Sequence, residues 1–191
     1  MRHPSDRPAT FKDLESVPEN KVGEIIDGTL YVTPRPAAPH VVASSALGTE
    51  LGGPFQFGRG GPGGWWILDE PELHLGDDAL VPDLAGWRRE RMPQPPSGVA
   101  FTIPPDWVCE VASPSTIRLD LAKKLPKYAR AGVQHAWVLD PVAKTLQVFR
   151  RQDKMWLIIA TFSGDEKARA EPFDAIELDL TNLWGAEAPP A

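Results

Sequence analysis

The stretch that decides the fold is "PPDWVCEVASPSTIRLDLAKKLPKYARAGVQHAWVLDP", residues 104–141. Its apolar run 106–112 predicts a β-strand, and 135–141 predicts a second strand. Between them, Thr116–Ala131 predicts a helix that stops before Gly132, a residue type that commonly ends helices. Together with the strand-rich remainder of the chain, this order predicts an α+β (α/β-like) fold with a mixed β-sheet flanked by helices.

Glu110 is a carboxylate in the most apolar part of the first strand. Alternation along a strand places Val108, Glu110 and Ala112 on one face. A lone buried carboxylate costs on the order of several kcal/mol unless it is paired, bound to a cation or protonated. Two explanations stay open at this point: a functional site, or a structural salt bridge to Arg118 or to a helix lysine.

The flanking sequence contains further strand, helix and turn signals. An Asp-Gly pair in the middle of 21–34 predicts a β-hairpin. Residues 40–51 predict a short amphipathic helix with an apolar stripe of Val42, Ala43, Ala46, Leu47 and Leu51. Composition predicts loops over 52–64 and 93–105, a meander of short strands over 65–87, and two more strands at 145–151 and 155–162.

Length and composition are typical of one globular domain. The chain has 191 residues, of which 21 are proline and 16 glycine, so loops are expected to be numerous. We expect a single domain over 1–191, with flexible termini of about 1–10 and 185–191. The single cysteine, Cys109, excludes an internal disulfide, and neither a secretion signal nor a long apolar run is evident, so a cytoplasmic protein with no membrane partner is predicted.

Charge is unevenly distributed. The net charge of the chain is −6, but residues 113–151 contain eight basic and two acidic side chains. This segment could form a basic face that binds nucleic acid, for which Lys123, Lys127 and Arg130 of the predicted helix are the candidates. The alternative is an ordinary solvated helix face.

Several common catalytic motifs are excluded by their context. Gly58, Gly60 and Gly63 match G-x-G-x-x-G, but they precede a predicted strand rather than opening a helix. Ser113 and His135 have no local signature of a hydrolytic triad, and no cysteine and histidine spacing indicates a zinc site.

Asp83 and Glu110 form the remaining constellation. Asp83 follows Pro82, which marks a strand end or bend. Two carboxylates from neighbouring strands repel each other unless a cation lies between them, and Mg²⁺ prefers such oxygen ligands. Ala112 occupies the position where an E-x-K motif would carry its lysine, so the lysine must come from elsewhere. Lys123, Lys124 and Lys127 of the following helix are candidates.

The chain resembles the Uma2 family (domain of unknown function 820, DUF820), a branch of the PD-(D/E)xK nuclease superfamily. The resemblance rests on "EIIDG" (24–28), "PH" (39–40), "VPDLAGW" (81–87) and above all residues 104–141. It implies a restriction-endonuclease-like core, Mg²⁺- or Mn²⁺-dependent hydrolysis of DNA phosphodiester bonds, and a homodimer. A non-catalytic nucleic-acid-binding or protein-interaction module that keeps the nuclease fold is the alternative.

The resemblance also implies roles for individual residues. Asp83 and Glu110 match the metal-binding carboxylates, and Lys124 matches the catalytic lysine, moved from the strand to the helix. Asp120 matches another family position, although it could equally stabilise the first turns of the helix. Pro126 departs from a regular helix and could re-aim Lys124. The further accessory candidates are Glu24, His40 and Glu50.

Overall fold

The computed structural model describes residues 7–185; the predicted flexible termini fall largely outside this range. The helices are α1 (Phe11–Leu14), α2 (Ala38–Leu51), α3 (Ile117–Leu119) and α4 (Leu125–Ala131). The strands are β1 (Lys21–Ile26), β2 (Thr29–Pro34), β3 (Trp65–Asp69), β4 (Glu72–Leu75), β5 (Asp78–Leu80), β6 (Leu84–Arg88), β7 (Ala100–Phe101), β8 (Trp107–Val111), β9 (His135–Asp140), β10 (Thr145–Gln152), β11 (Met155–Ser163), β12 (Lys167–Ala168) and β13 (Leu178–Asp179).

Two main sheets organise these strands. The first has the order β2-β1-β5-β4-β7, and the second has the order β11-β10-β9-β8-β6-β3, while β12 and β13 form a separate pair. The pairs β4/β7 and β8/β9 are parallel, and the other pairs described are antiparallel. The predicted mixed-sheet α+β fold is therefore confirmed.

The predicted hairpin is β1–β2, paired in register from Lys21 opposite Pro34 to Ile26 opposite Thr29. The two loop residues, Asp27 and Gly28, have φ angles of 52° and 69°. Positive φ at both positions is the requirement of the tight turn that Asp-Gly favours, because its twist matches that of the strands.

Strand β8 lies inside the second sheet and is buried on both faces. Trp107, Cys109 and Val111 pack in one core cluster with the buried residues of α2. Val108 packs in the other cluster, which contains residues of α4 and of the first sheet. The predicted alternation is confirmed, and it turns Glu110 toward the layer between the two sheets and α4.

The predicted helix over Thr116–Ala131 forms in three parts. Helix α3 leads into a π-helical turn over Asp120–Lys124, and α4 continues to Gly132, whose φ of 98° ends it. Pro126 is the second residue of α4. The wider turn lies directly before the proline, at the point where a regular helix would need the N–H that Pro126 lacks.

Four local predictions are wrong. Residues 52–56 form a π-helical turn that continues α2, and the predicted loop 93–105 contains the short strand β7. The predicted meander is divided, because β3 pairs with β6 in the second sheet whereas β4 and β5 belong to the first. Val42 is 44% exposed, and His40 is buried on the core side of α2 instead.

None of the helices within residues 7–185 combines the length and the apolar character needed to cross a membrane.

Candidate functional site

The chain passes from the first sheet to the second through residues 81–83. Strand β5 ends at Leu80 in one sheet and β6 begins at Leu84 in the other. The Val81 N–H donates to Glu24 Oε1 at 2.8 Å, and the Val81 carbonyl accepts from Lys124 Nζ at 2.9 Å. These two bonds tie the crossover to β1 and to the π-helical turn, which places Asp83 beside both.

Lys124 lies at the centre of a buried cluster of carboxylates. Its Nζ is 2.9 Å from Glu110 Oε2, 3.0 Å from Glu24 Oε1 and 3.7 Å from Asp120 Oδ1. Burial acts to lower the pKa of Lys124, but the attraction of the surrounding carboxylates outweighs it and raises the pKa well above its ordinary value. Lys124 therefore carries a positive charge in the interior.

Glu110 is 1% exposed, and both of its oxygens have partners. Besides the contact with Lys124, Oε1 accepts a hydrogen bond from the Tyr128 hydroxyl at 2.7 Å. Burial raises the pKa of Glu110 well above its ordinary value; Lys124 opposes this rise, and Asp120 and Asp83 add to it. Lys124 and Tyr128 thus hold Glu110 where its charge is costly.

Asp83 is fixed by the neighbouring strand and by α2. Its Oδ2 accepts the Val111 N–H at 2.6 Å, and its Oδ1 is 3.0 Å from His40 Nε2. Burial acts to lower the pKa of His40, but the hydrogen bond to Asp83 and its negative charge outweigh this and raise the pKa. His40 therefore holds Asp83 more tightly when it is protonated.

Asp120 borders the cluster from the π-helical turn. Burial raises its pKa to about 6, while the charge of Lys124 and a hydrogen bond from Thr116 act in the opposite direction. Asp120 is 3% exposed and lies 3.7 Å from Lys124 Nζ, so it belongs to the buried cluster.

These side chains line one cleft of about 310 Å³. Among its described lining residues are five carboxylates and only two permanent cations; the carboxylates are Glu24, Glu70, Asp83, Glu110 and Asp120, and the cations are Arg35 and Lys124. Such an excess of oxygen ligands fits a hard divalent cation. No group of three or more His, Cys, Asp or Glu side chains within residues 7–185 is arranged to hold an ion unaided, so an ion here would also need water or substrate oxygens.

Four of the candidate residues do not line this cleft. Glu50 lies near the other end of α2, where it accepts a hydrogen bond from Asn182 at 3.0 Å. Lys127 pairs with Asp27 and Asp78 and lines a different depression, together with Arg130. Lys123 points to the Asp27 carboxylate at 3.8 Å.

Three residues were missed by the sequence reasoning: the cleft residues Arg35 and Glu70, and Tyr128, the buried hydrogen-bond partner of Glu110. Tyr128 had a usable signal, because it lies four residues after Lys124 and therefore on the same helix face. Arg35 and Glu70 follow two strands of different sheets, and no local pattern indicated that their side chains would meet.

Comparisons with known proteins identify the family of the chain. The family model described as "Uma2: Putative restriction endonuclease" matches residues 8–181, which includes every cleft residue named above. The chain belongs to the Uma2 family. Membership of this family supports a nuclease-like function, with nucleic acid as the class of substrate.

A solved structure shares the fold of this Uma2 chain. It is described as a "putative nuclease belonging to DUF820" from Anabaena variabilis, with a TM-score of 0.75 and 24% sequence identity. The match covers 93% of this chain and 98% of that one, so it supports the fold over nearly the whole length. No match is found among curated proteins.

Proposed function

We propose that this Uma2 protein is a metal-dependent endonuclease that hydrolyses phosphodiester bonds of DNA. The observation that carries the proposal is the cluster in which one buried lysine amine contacts Glu24 and Glu110 in a cleft that Asp83 also lines. Paired carboxylates beside a lysine match the chemistry of phosphodiester hydrolysis, in which negative charge develops on phosphate oxygens.

The metal in this proposal is Mg²⁺ or Mn²⁺, held by Asp83 and Glu110. The excess of carboxylates in the cleft supports it, and Mg²⁺ commonly takes one or two protein carboxylates and fills its remaining positions with water and phosphate oxygens. When bound, such an ion polarises the phosphodiester and lowers the pKa of a coordinated water.

Four other side chains would stabilise charge or hold the metal ligands in place. Lys124, held in its charged form, would stabilise negative charge on the phosphate; its raised pKa makes it a poor general base at neutral pH. Tyr128 would orient Glu110 through its hydrogen bond, and His40 would orient Asp83. Glu24 would position the Lys124 amine through its ion pair with Nζ.

Nicking of supercoiled plasmid by the purified protein tests the proposal. We expect cleavage with Mg²⁺ or Mn²⁺, and a loss of about 100-fold or more in Glu110→Gln and Asp83→Asn. Glu50→Gln, an acid of the same chain outside the cleft, is the matched control and should cleave as wild type. Equal cleavage by wild type and Glu110→Gln would remove the cluster from the reaction.

Calorimetry gives a readout that does not depend on turnover. Mn²⁺ titrated into the wild-type protein should release or absorb heat with a defined stoichiometry, and Glu110→Gln and Asp83→Asn should weaken this binding. Identical isotherms for wild type and both variants would contradict the assignment of these two carboxylates.

A second candidate function is a nucleic-acid-binding module without turnover. The observation that favours it is that both oxygens of Glu110 already have protein partners, as in a structural ion pair. Under this alternative the protein binds DNA with an affinity that falls as salt rises, yet no metal supports cleavage. Metal-dependent cleavage that requires Glu110 would exclude it.

We also propose that the chain forms a single domain, that two copies of it form a homodimer, and that the protein acts in the cytoplasm, where its DNA substrate is found. The support for a dimer is the edge strand β11, whose nine residues contain no charge or proline and expose Met155, Leu157 and Ile158 by 71%, 47% and 54%. An uncovered apolar edge is a ready surface for pairing with a second copy. Leu157→Lys should then shift the sedimentation coefficient from dimer to monomer.

A further inference from the structure

Arg35 and Glu70 form a salt bridge at the mouth of the cleft. Arg35 directly follows β2 and Glu70 directly follows β3, so the pair connects the edges of two different sheets. Arg35 Nη1 is 2.8 Å from Glu70 Oε2, and the two side chains are 53% and 39% exposed. Both residues line the cleft that contains the buried carboxylates.

Arg35 is distinguished from the other basic side chains of the cleft by its accessibility. Lys124 is held by buried carboxylates with 4% of its side chain exposed, and His40 is held by Asp83 with 10% exposed. Of the described residues that line the cleft, Arg35 alone is a permanent cation that a ligand can reach from solvent. A phosphate that approaches the acidic cleft therefore finds an accessible positive charge at the Arg35 guanidinium.

The partner of Arg35 is held in place from the other side. Glu70 has a φ of 43°, and its N–H donates to the Asp83 carbonyl at 3.0 Å. The backbone of Glu70 is thus attached to the residue that precedes β6, whereas Arg35 has a long side chain in a loop. Exposed pairs of this kind contribute little to stability, so Arg35 can exchange its partner readily.

We propose that Arg35 anchors a substrate phosphate at the mouth of the cleft and that Glu70 is the internal anion which the phosphate replaces. A guanidinium can bind a phosphate through two parallel hydrogen bonds, which is a stronger arrangement than its single contact with Glu70. Naming the ligand as a nucleic-acid phosphate rests on the proposed function; the exchange of partners rests on the geometry of the pair.

The exchange predicts opposite effects for the two partners. Arg35→Ala should weaken DNA binding about 10-fold and lower the slope of log affinity against log salt by about one, as for the loss of one phosphate contact. Arg35→Lys should give an intermediate affinity because it keeps the charge but loses the paired hydrogen bonds. Glu70→Gln should bind more tightly, because Arg35 is then free.

The double variant separates partner exchange from a general change in charge. If Glu70 acts by occupying Arg35, Glu70→Gln gives no gain in an Arg35→Ala background. A gain of equal size in both backgrounds would show that Glu70 only adds to the negative field of the cleft, and it would overturn the proposal. Wild-type affinity in Arg35→Ala would overturn it as well.

The measurement is fluorescence anisotropy of a labelled DNA oligonucleotide, with Ca²⁺ in place of Mg²⁺ and the strand checked on a gel for integrity. Arg150→Ala and Glu171→Gln are the matched controls, because this pair is 3.2 Å apart with side chains 51% and 38% exposed and does not line the cleft. Both controls should change affinity less than about twofold. A loss in Arg150→Ala as large as in Arg35→Ala would contradict a specific anchor.

Plasmid cleavage by the same variants distinguishes this inference from the proposed function. If wild type cleaves DNA while Arg35→Ala keeps full affinity, the anchor is refuted and the nuclease stands. If no metal supports cleavage but the single variants of Arg35 and Glu70 and the double variant bind DNA as predicted, the nuclease proposal fails and the phosphate anchor stands. In a cleaving protein, Arg35→Ala should raise KM about 10-fold and change kcat less, since the contact holds substrate in both the ground and transition states.

Discussion

Lys124→Met tests whether one lysine neutralises the buried acids of the cleft. The substitution keeps the length and apolar stem of the side chain but removes the charge that contacts Glu24, Glu110 and Asp120. Removing one partner of a buried ionic cluster costs about 3–5 kcal/mol, because the remaining charges are left without compensation. We expect a loss of that size in the free energy of unfolding.

Removing a carboxylate from the cluster should lower the free energy of unfolding much less than removing the lysine. In Glu110→Gln, Lys124 retains Glu24, Asp120 and the Val81 carbonyl, and one carboxylate with an unfavourable burial is removed. The change in stability should stay within about 1 kcal/mol. The asymmetry of at least about 2 kcal/mol between the two variants follows from one cation serving several anions.

Urea denaturation followed by circular dichroism, at pH 7.5 with EDTA, measures both values. Adding Mg²⁺ gives a second comparison: a site with 100-fold excess ion over its Kd stabilises the protein by about 2.7 kcal/mol. We expect a larger Mg²⁺ gain in Lys124→Met than in wild type, and a smaller one in Glu110→Gln, whose ion binding is weakened. A Lys124→Met cost below about 1 kcal/mol, or an equal cost in both variants, would refute the reasoning.

Three further predictions concern the neighbours of this cluster. Burial raises the pKa of Asp120 from 3.8 to about 6, so ionisation of this carboxyl opposes folding as pH rises through that window. Urea denaturation should show wild type losing about 2 kcal/mol of stability relative to Asp120→Asn between pH 4 and pH 7, and a constant difference would contradict the raised pKa. Tyr128→Phe removes the hydrogen bond to Glu110 and should reduce plasmid cleavage about 10-fold with a stability loss near 1 kcal/mol; unchanged cleavage would deny the hydroxyl a positioning role. Lys127→Ala breaks two contacts between α4 and the first sheet and should lower the free energy of unfolding by about 1 kcal/mol, whereas no loss would show that these contacts are not stabilising.

Local patterns were sufficient for several elements. The Asp-Gly pair predicted the β1–β2 hairpin, and Gly132 predicted the end of α4, because both residues occupy backbone conformations that other residues adopt at a cost. Alternation predicted which face of β8 carries Glu110. From the missing strand lysine at Ala112, the sequence also directed the search to the helix, and Lys124 does contact Glu110.

Long-range pairing was beyond the reach of local patterns. The run 65–87 looks like one meander, yet its four strands are divided between two sheets, because the crossover near Pro82 is stabilised by Glu24 and Lys124 from distant parts of the chain. The same limitation applies to Arg35 and Glu70, which meet across two loops. Val42 was expected in the core because it is apolar, but the phase of α2 is set by the His40–Asp83 contact and by Leu47.

The energetics of the cluster bear on the choice between a nuclease and a module that only binds. Buried ion pairs are commonly no more stabilising than apolar residues of the same shape, so the fold alone gives no reason to bury Glu24, Glu110, Asp120 and Lys124 together. The cluster also adjoins the cleft rather than a closed core, and burial raises the pKa values of Glu110 and Asp120. A surface that only attracted DNA would gain more from exposed cations than from buried acids, whereas Asp83 and Glu110 would supply the oxygen ligands that a divalent cation prefers. The proposed nuclease thus gives a reason for a cleft that costs stability, whereas a module that only binds DNA does not.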